Sequence, residues 1–230
     1  MTGEAPRPRI YGRRRGRPLR LGRQRLTETL LPELAVTLPA EGHLDLSRLF
    51  SRPVERIWLE IGFGAGEHLA AQAAQHPEIN FIGSEVFENG VARLLSEIEN
   101  QCLGNIRIYP DDARQLLDHL PAKSLGRVFI LFPDPWPKQR HHKRRLISPG
   151  TLDRLAELMP AGAELRLATD DRDYLVWMLE HVTAHPAFAW LARRPADWRQ
   201  RPDDWPPTRY EQKALTAGRT PSFLRFIRRG

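Results

Sequence analysis

Apolar runs and amphipathic stretches alternate along the chain from residue 56 to residue 185. Short runs rich in β-branched and aromatic residues, typical of buried strands, occupy residues 56–61, 79–86, 106–109, 128–132 and 164–168. Longer stretches with helical periodicity follow them at residues 67–75, 88–101, 113–120, 149–159 and 172–185. One more apolar run lies at residues 223–227. This alternation predicts an α/β fold, a mostly parallel sheet with helices on both faces.

The composition narrows the range of partners. The 230 residues carry a formal net charge of +7, and arginine far outnumbers lysine. Guanidinium groups bind phosphates bidentately, so we expect a nucleic acid as partner rather than a membrane. Cys102 is the only cysteine, which excludes a disulfide framework and a cysteine-based metal site. With no signal-peptide or membrane-spanning pattern, we expect a cytoplasmic protein, and nothing indicates an obligatory protein partner.

The chain divides into three segments. Residues 1–25 hold nine arginines and the single acid Glu4, a composition that predicts a flexible basic arm. This arm could tether nucleic acid or could be only a solubility tail; a mitochondrial presequence is disfavoured, because serine is absent before Ser47. We expect residues 26–53 to be a linker or a short helical segment and residues 54–230 to be the main domain.

A proline-rich loop follows the fourth predicted strand. Prolines at positions 133, 135 and 137 prevent both helix and sheet pairing, so Asp134 and Trp136 are held just beyond a strand's carboxyl end. Open α/β sheets bind ligands there. From position 138 to 145 every residue except Gln139 is basic or histidine, and Lys138 is well placed for a phosphate. Taken alone, Asp134 could cap a turn and the basic run could be a solvated face. Because the two are adjacent, a functional site is favoured.

The first predicted strand ends in Glu60 and leads into a glycine turn at Gly62, Gly64 and Gly66. In dinucleotide sites the last glycine follows the second by three positions, whereas here Gly66 follows Gly64 by two. A carboxylate at the strand end would also repel a pyrophosphate. It suits S-adenosylmethionine, which has no phosphate and carries sulfonium and ammonium groups, and glycines let the backbone approach such a cofactor closely.

Two further acids follow the next two predicted strands. Glu85 is placed to accept both ribose hydroxyls of the cofactor, and Asp112 to accept an adenine amino proton. Each acid has a structural alternative. Glu60 could pair with a basic neighbour and Glu85 could cap the next helix. Asp111 or Asp112 could likewise cap the helix that begins at residue 113. Three acids at successive strand ends, together with the glycines, indicate a class I methyltransferase.

Five stretches together resemble the bacterial tRNA (guanine-N7)-methyltransferases of the single-subunit type: residues 60–66, 81–86, 132–145, 168–170 and 208–213. The resemblance runs from about residue 57 to the end and leaves the basic arm outside. Its most specific part is Phe-Pro-Asp-Pro-Trp-Pro-Lys, whereas very many methyltransferases share the glycine turn. It implies a Rossmann-like class I methyltransferase fold with a terminal antiparallel strand. It also implies methylation of a guanine in the variable loop of tRNA, with S-adenosylmethionine as donor.

The resemblance implies roles for individual residues as well. The cofactor-binding residues would be Glu60, Gly62, Gly64, Gly66, Glu85, Asp112 and Asp134. Asp134 would also be the catalytic residue. The substrate-binding residues would be Lys138, Asp170, Thr208, Arg209, Tyr210 and Glu211. We expect no metal, because His141 and His142 have no further ligands spaced near them.

The chemistry limits what Asp134 has to do. Guanine N7 is already a lone-pair acceptor, so methyl transfer requires alignment more than deprotonation. We therefore expect Asp134 to position the reactants and to stabilise the transferred positive charge. Asp170 could accept guanine N1 or N2 protons or could cap the next helix, with Asp173 completing a capping box. Residues 208–211 could close over the base or form a plain polar loop.

Two other functions stay open. The Asp134-Pro135-Trp136 turn loosely resembles the Asp-Pro-Pro-aromatic loop of amino methyltransferases, so the acceptor could be an exocyclic amine. A non-catalytic RNA-binding protein on the same fold is the second alternative, although the presence of all the cofactor acids argues against it. The position of the methyl group on the product distinguishes an amino methyltransferase from a guanine-N7 methyltransferase. Binding of S-adenosylmethionine distinguishes either enzyme from a non-catalytic RNA-binding protein.

Overall fold

Seven strands form one mixed sheet. The computed structural model describes residues 13–51 and 54–230. The strands are β1 (Ile57–Ile61), β2 (Asn80–Ser84), β3 (Ile106–Tyr109), β4 (Leu125–Leu131), β5 (Glu164–Thr169), β6 (Phe188–Trp190) and β7 (Ser222–Arg228). Their order across the sheet is β3-β2-β1-β4-β5-β7-β6. The first five are parallel, whereas β7 runs antiparallel to both β5 and β6. The predicted mostly parallel sheet with a terminal antiparallel strand is confirmed.

Helices cover both faces of the sheet. They are α1 (Leu21–Thr29), α2 (Leu31–Leu34), α3 (Glu67–Gln75), α4 (Glu88–Gln101), α5 (Ala113–His119), α6 (Pro149–Leu158), α7 (Arg172–Ala184), α8 (Ala196–Arg199) and α9 (Arg209–Thr216). Successive side chains of a strand point to opposite faces. Ile82 of β2 accordingly packs in the apolar cluster of α5, α6 and α7, while its neighbour Phe81 packs in that of α3 and α4.

The topology places a crevice at the carboxyl ends of the central strands. β1 lies between β2 and β4, so the strand order reverses there. α4, which follows β2, and α6, which follows β4, contribute to different apolar clusters. Connections that leave a sheet to opposite faces open a crevice between them, where open α/β sheets bind ligands.

The structure differs from the predicted elements mainly after α7. β6 and α8 were not predicted, since they are only three and four residues long. The stretch around residues 208–211, for which a polar loop was the alternative, is the start of α9. This helix buries only Glu211 and Ala214, so no apolar stripe marks it in the sequence. Thr208 begins it by accepting a hydrogen bond from the Glu211 amide at 3.1 Å.

The N-terminal part of the chain also departs from the predicted division. α1 crosses the predicted boundary at residue 25, and Arg25 forms an ion pair with Glu99 of α4 at 2.6 Å. Residues 13–51 add five side chains to the core, Leu26, Leu34, Val36, Leu44 and Phe50. These side chains are buried against the main domain rather than within the N-terminal segment itself. The composition of that segment alone therefore could not indicate that they are buried. Residues 1–12 of the predicted arm lie outside the described residues.

Candidate active site

A cleft of about 380 Å³ lies at the carboxyl ends of β1, β2, β3 and β4. Its lining includes Gly62, Gly64, Glu85, Asp112, Asp134 and Tyr210. The first five belong to the sequence-predicted cofactor set, and Tyr210 to the predicted substrate set. The fold therefore gathers into one cavity residues that are up to about 150 positions apart in the chain.

The glycine turn after β1 forms one wall of the cleft. Gly64 has a φ of +59°, in the left-handed region that favours glycine. A Cβ at this position would also lie 2.8 Å from the ring of Tyr210. Behind the turn, α4 approaches so closely that a Cβ on Gly90 would lie 2.1 Å from the Gly64 carbonyl oxygen. Larger side chains at either glycine would displace the wall.

Glu85 is held in place by two backbone amides. Its Oε2 accepts a hydrogen bond from Gly64 N at 2.7 Å, and its Oε1 accepts one from Phe87 N at 2.9 Å. Burial raises the pKa of Glu85, against the opposite effect of these hydrogen bonds, and the negative charge of Asp134 raises it further. The carboxylate is thus oriented before any ligand arrives, in a setting that favours positive charge or hydrogen-bond donors beside it.

Asp112 caps the helix that begins at residue 113, one of the alternatives left open above, and it also lines the cleft. Its Oδ1 accepts a hydrogen bond from Arg114 N at 3.0 Å, which caps α5, and its Oδ2 lies 3.1 Å from Arg114 Nη1. The side chain is buried. A helix cap fixes the orientation of a carboxylate, so Asp112 forms a rigid acidic border on the β3 side of the cleft.

Asp134 projects from the proline-rich loop at the mouth of the cleft. The loop departs from extended structure at Phe132 and Trp136, whose φ values are 52° and 45°. Asp134 is exposed to solvent, yet the surrounding protein removes enough water to raise its pKa. Burial makes the charged form of an acid less favourable, and a neighbouring cation would reduce this cost.

The same loop is fastened by a residue whose role the sequence did not indicate. Arg145 ends the basic run, but its side chain is buried and its Nε donates a hydrogen bond to the Pro135 carbonyl at 2.8 Å. The guanidinium lies 4.9 Å from the ring centroids of both Tyr174 and Trp177 and pairs with Asp173 of α7. Arg145 therefore anchors the Asp134 loop to α7.

Tyr210 connects α9 with the two acids of the cleft. Packing of its ring raises the pKa of Tyr210, and the negative charges of Glu85 and Asp134 act in the same direction, against the positive charge of Arg209. All three side chains line the same cleft. Its phenol is a hydrogen-bond donor in a cleft that two carboxylates also line.

Other predicted site residues have protein partners. Glu60 is buried and hydrogen-bonded to His68 Nδ1 at 2.7 Å, the alternative of a basic neighbour, and it is not part of the cleft lining described above. Asp170 pairs with Arg219 at 2.7 Å. The cap of α7 is Asp171, not Asp170 as the alternative expected, with its Oδ1 accepting from Tyr174 N.

The remaining predicted substrate residues are not part of the cleft lining described above. Lys138 is exposed and precedes a 3₁₀ helix over Gln139–Arg144. Arg209 lies 3.3 Å from Glu67, and Glu211 is buried against Arg201 at 3.1 Å. Lys138 and Arg209 are therefore accessible to a polyanion, whereas Glu211 mainly supports α9.

Neither a metal cluster nor a membrane-spanning helix is found among residues 13–51 and 54–230. No three His, Cys, Asp or Glu side chains there converge as ligands. His142 instead lies 3.8 Å from Asp173 and packs against Trp177. No helix in these ranges is long and apolar enough to cross a bilayer.

Comparison with solved structures identifies the class of fold. An rRNA methylase from Streptococcus thermophilus superposes with a TM-score of 0.53 at 12% sequence identity, over 77% of this chain and 89% of that chain. At this level of identity the likeness concerns the fold alone. The sheet order, the glycine turn and the cleft at the strand ends define a class I methyltransferase fold.

Sequence comparison is more specific. A family model described as "Putative methyltransferase" matches residues 54–224. The tRNA (guanine-N(7)-)-methyltransferase of Rhodospirillum rubrum is 58% identical over 96% of this chain and 88% of its own length. That of Paramagnetospirillum magneticum is 51% identical over 98% of this chain and 94% of its own. The chain belongs to the tRNA (guanine-N7)-methyltransferase family.

Proposed function

We propose that this protein transfers a methyl group from S-adenosylmethionine to N7 of a guanine in the variable loop of tRNA, in the cytoplasm. The observation that carries the proposal is the convergence of Glu85, Asp134 and Tyr210 on one cleft beside the glycine turn, in a chain 58% identical to a tRNA (guanine-N(7)-)-methyltransferase. The carboxylates suit a cationic cofactor, and the exposed arginines around them suit an RNA substrate.

The size of the cleft and its acidic groups support this cofactor. The volume of about 380 Å³ is in the usual range for small-molecule sites, and four carboxylates line the cleft, those of Glu85, Asp111, Asp112 and Asp134. S-adenosylmethionine supplies a methyl group activated by a sulfonium. In the proposed arrangement Glu85 accepts the ribose hydroxyls, Asp112 accepts an adenine amino proton, and Gly62, Gly64 and Gly66 let the backbone approach the cofactor.

We propose a supporting role for Glu60. Its carboxylate ties the end of β1 to His68 in the first turn of α3, and the glycine turn lies between these two points. A buried hydrogen bond across the turn restricts the conformations that Gly62, Gly64 and Gly66 can adopt. Glu60 would thus act on the cofactor through the shape of the turn.

Asp134 orients the reacting groups and stabilises charge. N7 of guanine has no proton to remove, so Asp134 is not needed as a base. Its carboxylate serves as a hydrogen-bond acceptor and as a negative charge near the transferred methyl group. Lys138 binds a substrate phosphate, and Tyr210 and Arg209 approach the target nucleotide from α9. Thr208 and Glu211 hold that helix in place, and Asp170 keeps its pairing with Arg219 at the edge of the site.

The test is a methylation assay. The protein is incubated with methyl-labelled S-adenosylmethionine and bulk tRNA that lacks this modification, and the label is then located. We expect N7-methylguanine in the variable loop. Label on an exocyclic amine would instead support an amino methyltransferase. Absence of S-adenosylmethionine binding in calorimetry would support a non-catalytic RNA-binding protein.

A further inference from the structure

A second cavity lies beside the cofactor cleft. Its volume is about 340 Å³, and it shares Gly64, Phe87 and Tyr210 with that cleft. Five arginines line it: Arg17, Arg20, Arg23, Arg93 and Arg209. We call it the arginine pocket. Tyr210 therefore forms a wall between a cleft lined by four carboxylates and three arginines and a pocket lined by five arginines.

The segment before α1 is fastened to the start of α4. Asn89 accepts a hydrogen bond from Gly16 N and donates one to the Arg17 carbonyl, both at 2.7 Å. The Glu88 amide donates to the Arg14 carbonyl at 2.9 Å. A Cβ on Gly16 would lie 2.5 Å from Asn89 Oδ1, so a larger residue here would displace the Asn89 side chain. These contacts fix the path of the chain and with it the direction in which Arg17 leaves the backbone.

Seven arginines of this region fall into two groups. Arg14, Arg15 and Arg25 are paired with Asp111, Glu88 and Glu99 at 2.7, 2.9 and 2.6 Å. These pairs hold the segment and α1 on the main domain. For Arg17, Arg20, Arg23 and Arg93, by contrast, no ion pair with any residue of the described ranges is found. Four of the five arginines that line the pocket thus have no carboxylate partner among the described residues.

The charges of the pocket are close enough to repel each other. Burial lowers the pKa of Arg93, and the positive charges of Arg209 and Arg23 lower it further. Glu67 counteracts them but is already paired with Arg209 at 3.3 Å. Like charges held together without counter-charge are stabilised by a bound anion. A cationic cofactor does not supply this anion, since it would add to the repulsion.

We infer that the arginine pocket binds backbone phosphate of the tRNA substrate, next to the nucleotide that enters the cleft. Guanidinium groups match phosphate oxygens bidentately, and the shared wall at Tyr210 places such a phosphate beside the cofactor. The inference rests on the proposed function. An anionic membrane surface is less suitable, because it would bring no methyl acceptor to the cleft.

A charge-matched pair of variants tests the inference. The triple variant Arg17→Gln, Arg23→Gln, Arg93→Gln removes three unpaired charges of the pocket. The control Arg48→Gln, Arg194→Gln, Arg225→Gln removes three arginines outside the pocket that are paired with Asp45, Asp197 and Glu164. Dissociation constants for tRNA are measured at several salt concentrations, and cofactor affinity and thermal unfolding are measured alongside. We expect the pocket variant to bind tRNA roughly 10- to 100-fold more weakly, with a salt slope reduced by about two.

The control variant should stay within about threefold of wild type, because each of its arginines already has a counter-charge. Unchanged affinity and salt slope in the pocket variant would overturn the inference, as would an equal loss in the control. Loss of binding to vesicles of anionic phospholipid, with tRNA binding retained, would overturn it in favour of a membrane. Failure of the wild-type protein to methylate tRNA would count against the proposed function instead, so the two failures are distinguishable.

Discussion

At the scale of single residues, the site combines acids that are oriented before any ligand binds. The oxygens of Glu85 lie 2.7 and 2.9 Å from two backbone amides, and burial raises the pKa of Glu85. The amides offset part of the cost of holding a charge there. A preorganised acceptor loses little conformational entropy when ribose hydroxyls arrive. Glu85 should therefore contribute more to cofactor binding than an exposed carboxylate would.

Replacing Glu85 by alanine should weaken S-adenosylmethionine binding by about 1–3 kcal/mol, because the ribose hydroxyls lose a charged acceptor. Calorimetry on the purified variant measures the change. Glu88→Ala is the matched control. Glu88 lies three positions further on, is exposed and is paired with Arg15, so the cofactor affinity of this variant should equal that of wild type. Unchanged affinity in the Glu85 variant would show that the ribose lies elsewhere.

The proposed work of Asp134 is positional and electrostatic, and two substitutions separate these parts. Asparagine keeps the shape and one acceptor oxygen but loses the charge, whereas alanine loses both. If charge matters, Asp134→Asn should lower the single-turnover methylation rate roughly ten- to a thousandfold, the effect of ~1.4–4 kcal/mol for one preorganised contact. Asp134→Ala should be little worse. Affinity for tRNA should change far less than the rate, since phosphate contacts supply most of it. An Asn variant with the wild-type rate would leave Asp134 as a turn residue only.

At the scale of elements, the sequence predicted the regular core well and the irregular parts poorly. α3 and α4 begin and end where their periodicity predicts, at Glu67–Gln75 and Glu88–Gln101, because long amphipathic faces pack against a sheet. α9 and β6 carry no comparable signal. α9 is specified by the Thr208 cap and by contacts of Tyr210 and Glu211, and β6 by its pairing with β7.

The candidate site likewise has features that the sequence could predict and features that it could not. Glu85, Asp112 and Asp134 could be predicted to share an edge, because the ends of parallel strands meet there. Side-chain direction could not be predicted. His68 engages Glu60 across the glycine turn, and Arg219 engages Asp170 from 49 positions away. Such partners come together only after folding, so sequence spacing does not reveal them.

The anchoring of the proline-rich loop gives a prediction at this scale. Arg145→Lys keeps a positive charge near Asp173, but it removes the Nε hydrogen bond to the Pro135 carbonyl and the planar contact with Tyr174 and Trp177. The loop that carries Asp134 would then be less well positioned. We expect kcat to fall by about tenfold or more, since small misplacements are costly for catalysis, while KM for tRNA changes little.

The control for this prediction is Arg140→Lys, an exposed position in the same basic run, which should retain kcat. Thermal unfolding of both variants shows how much stability is lost. A purely structural role of Arg145 would lower the amount of folded enzyme and leave the kcat of the folded fraction unchanged. That result would contradict the positioning role.

At the scale of the whole molecule, charge is unevenly distributed along the chain. Residues 1–20 hold seven arginines and the single acid Glu4, so without them the formal net charge falls from +7 to +1. The described part of this segment, from Arg13 onwards, lies over the start of α4 and reaches the rim of the cofactor cleft. It contributes no residue to the buried core. We therefore expect the domain to fold without residues 1–20, while the charge of the surface offered to RNA changes greatly.

Removal of residues 1–20 should weaken tRNA binding and flatten its dependence on salt, because fewer counterions are released when the protein binds. The association rate should fall as well, since a large net positive charge steers a polyanion towards the protein. The truncation ends just before α1, so Leu26 and the Arg25–Glu99 pair remain, and the melting temperature should change little. Cofactor affinity should stay the same, because Glu85, Asp112 and Asp134 are all retained.

Stopped-flow association with labelled tRNA at several salt concentrations, together with calorimetry for the cofactor, measures these effects. Retention of both the tRNA affinity and the salt slope would mean that the basic segment is only a tail and that the main domain alone supplies the RNA-binding surface.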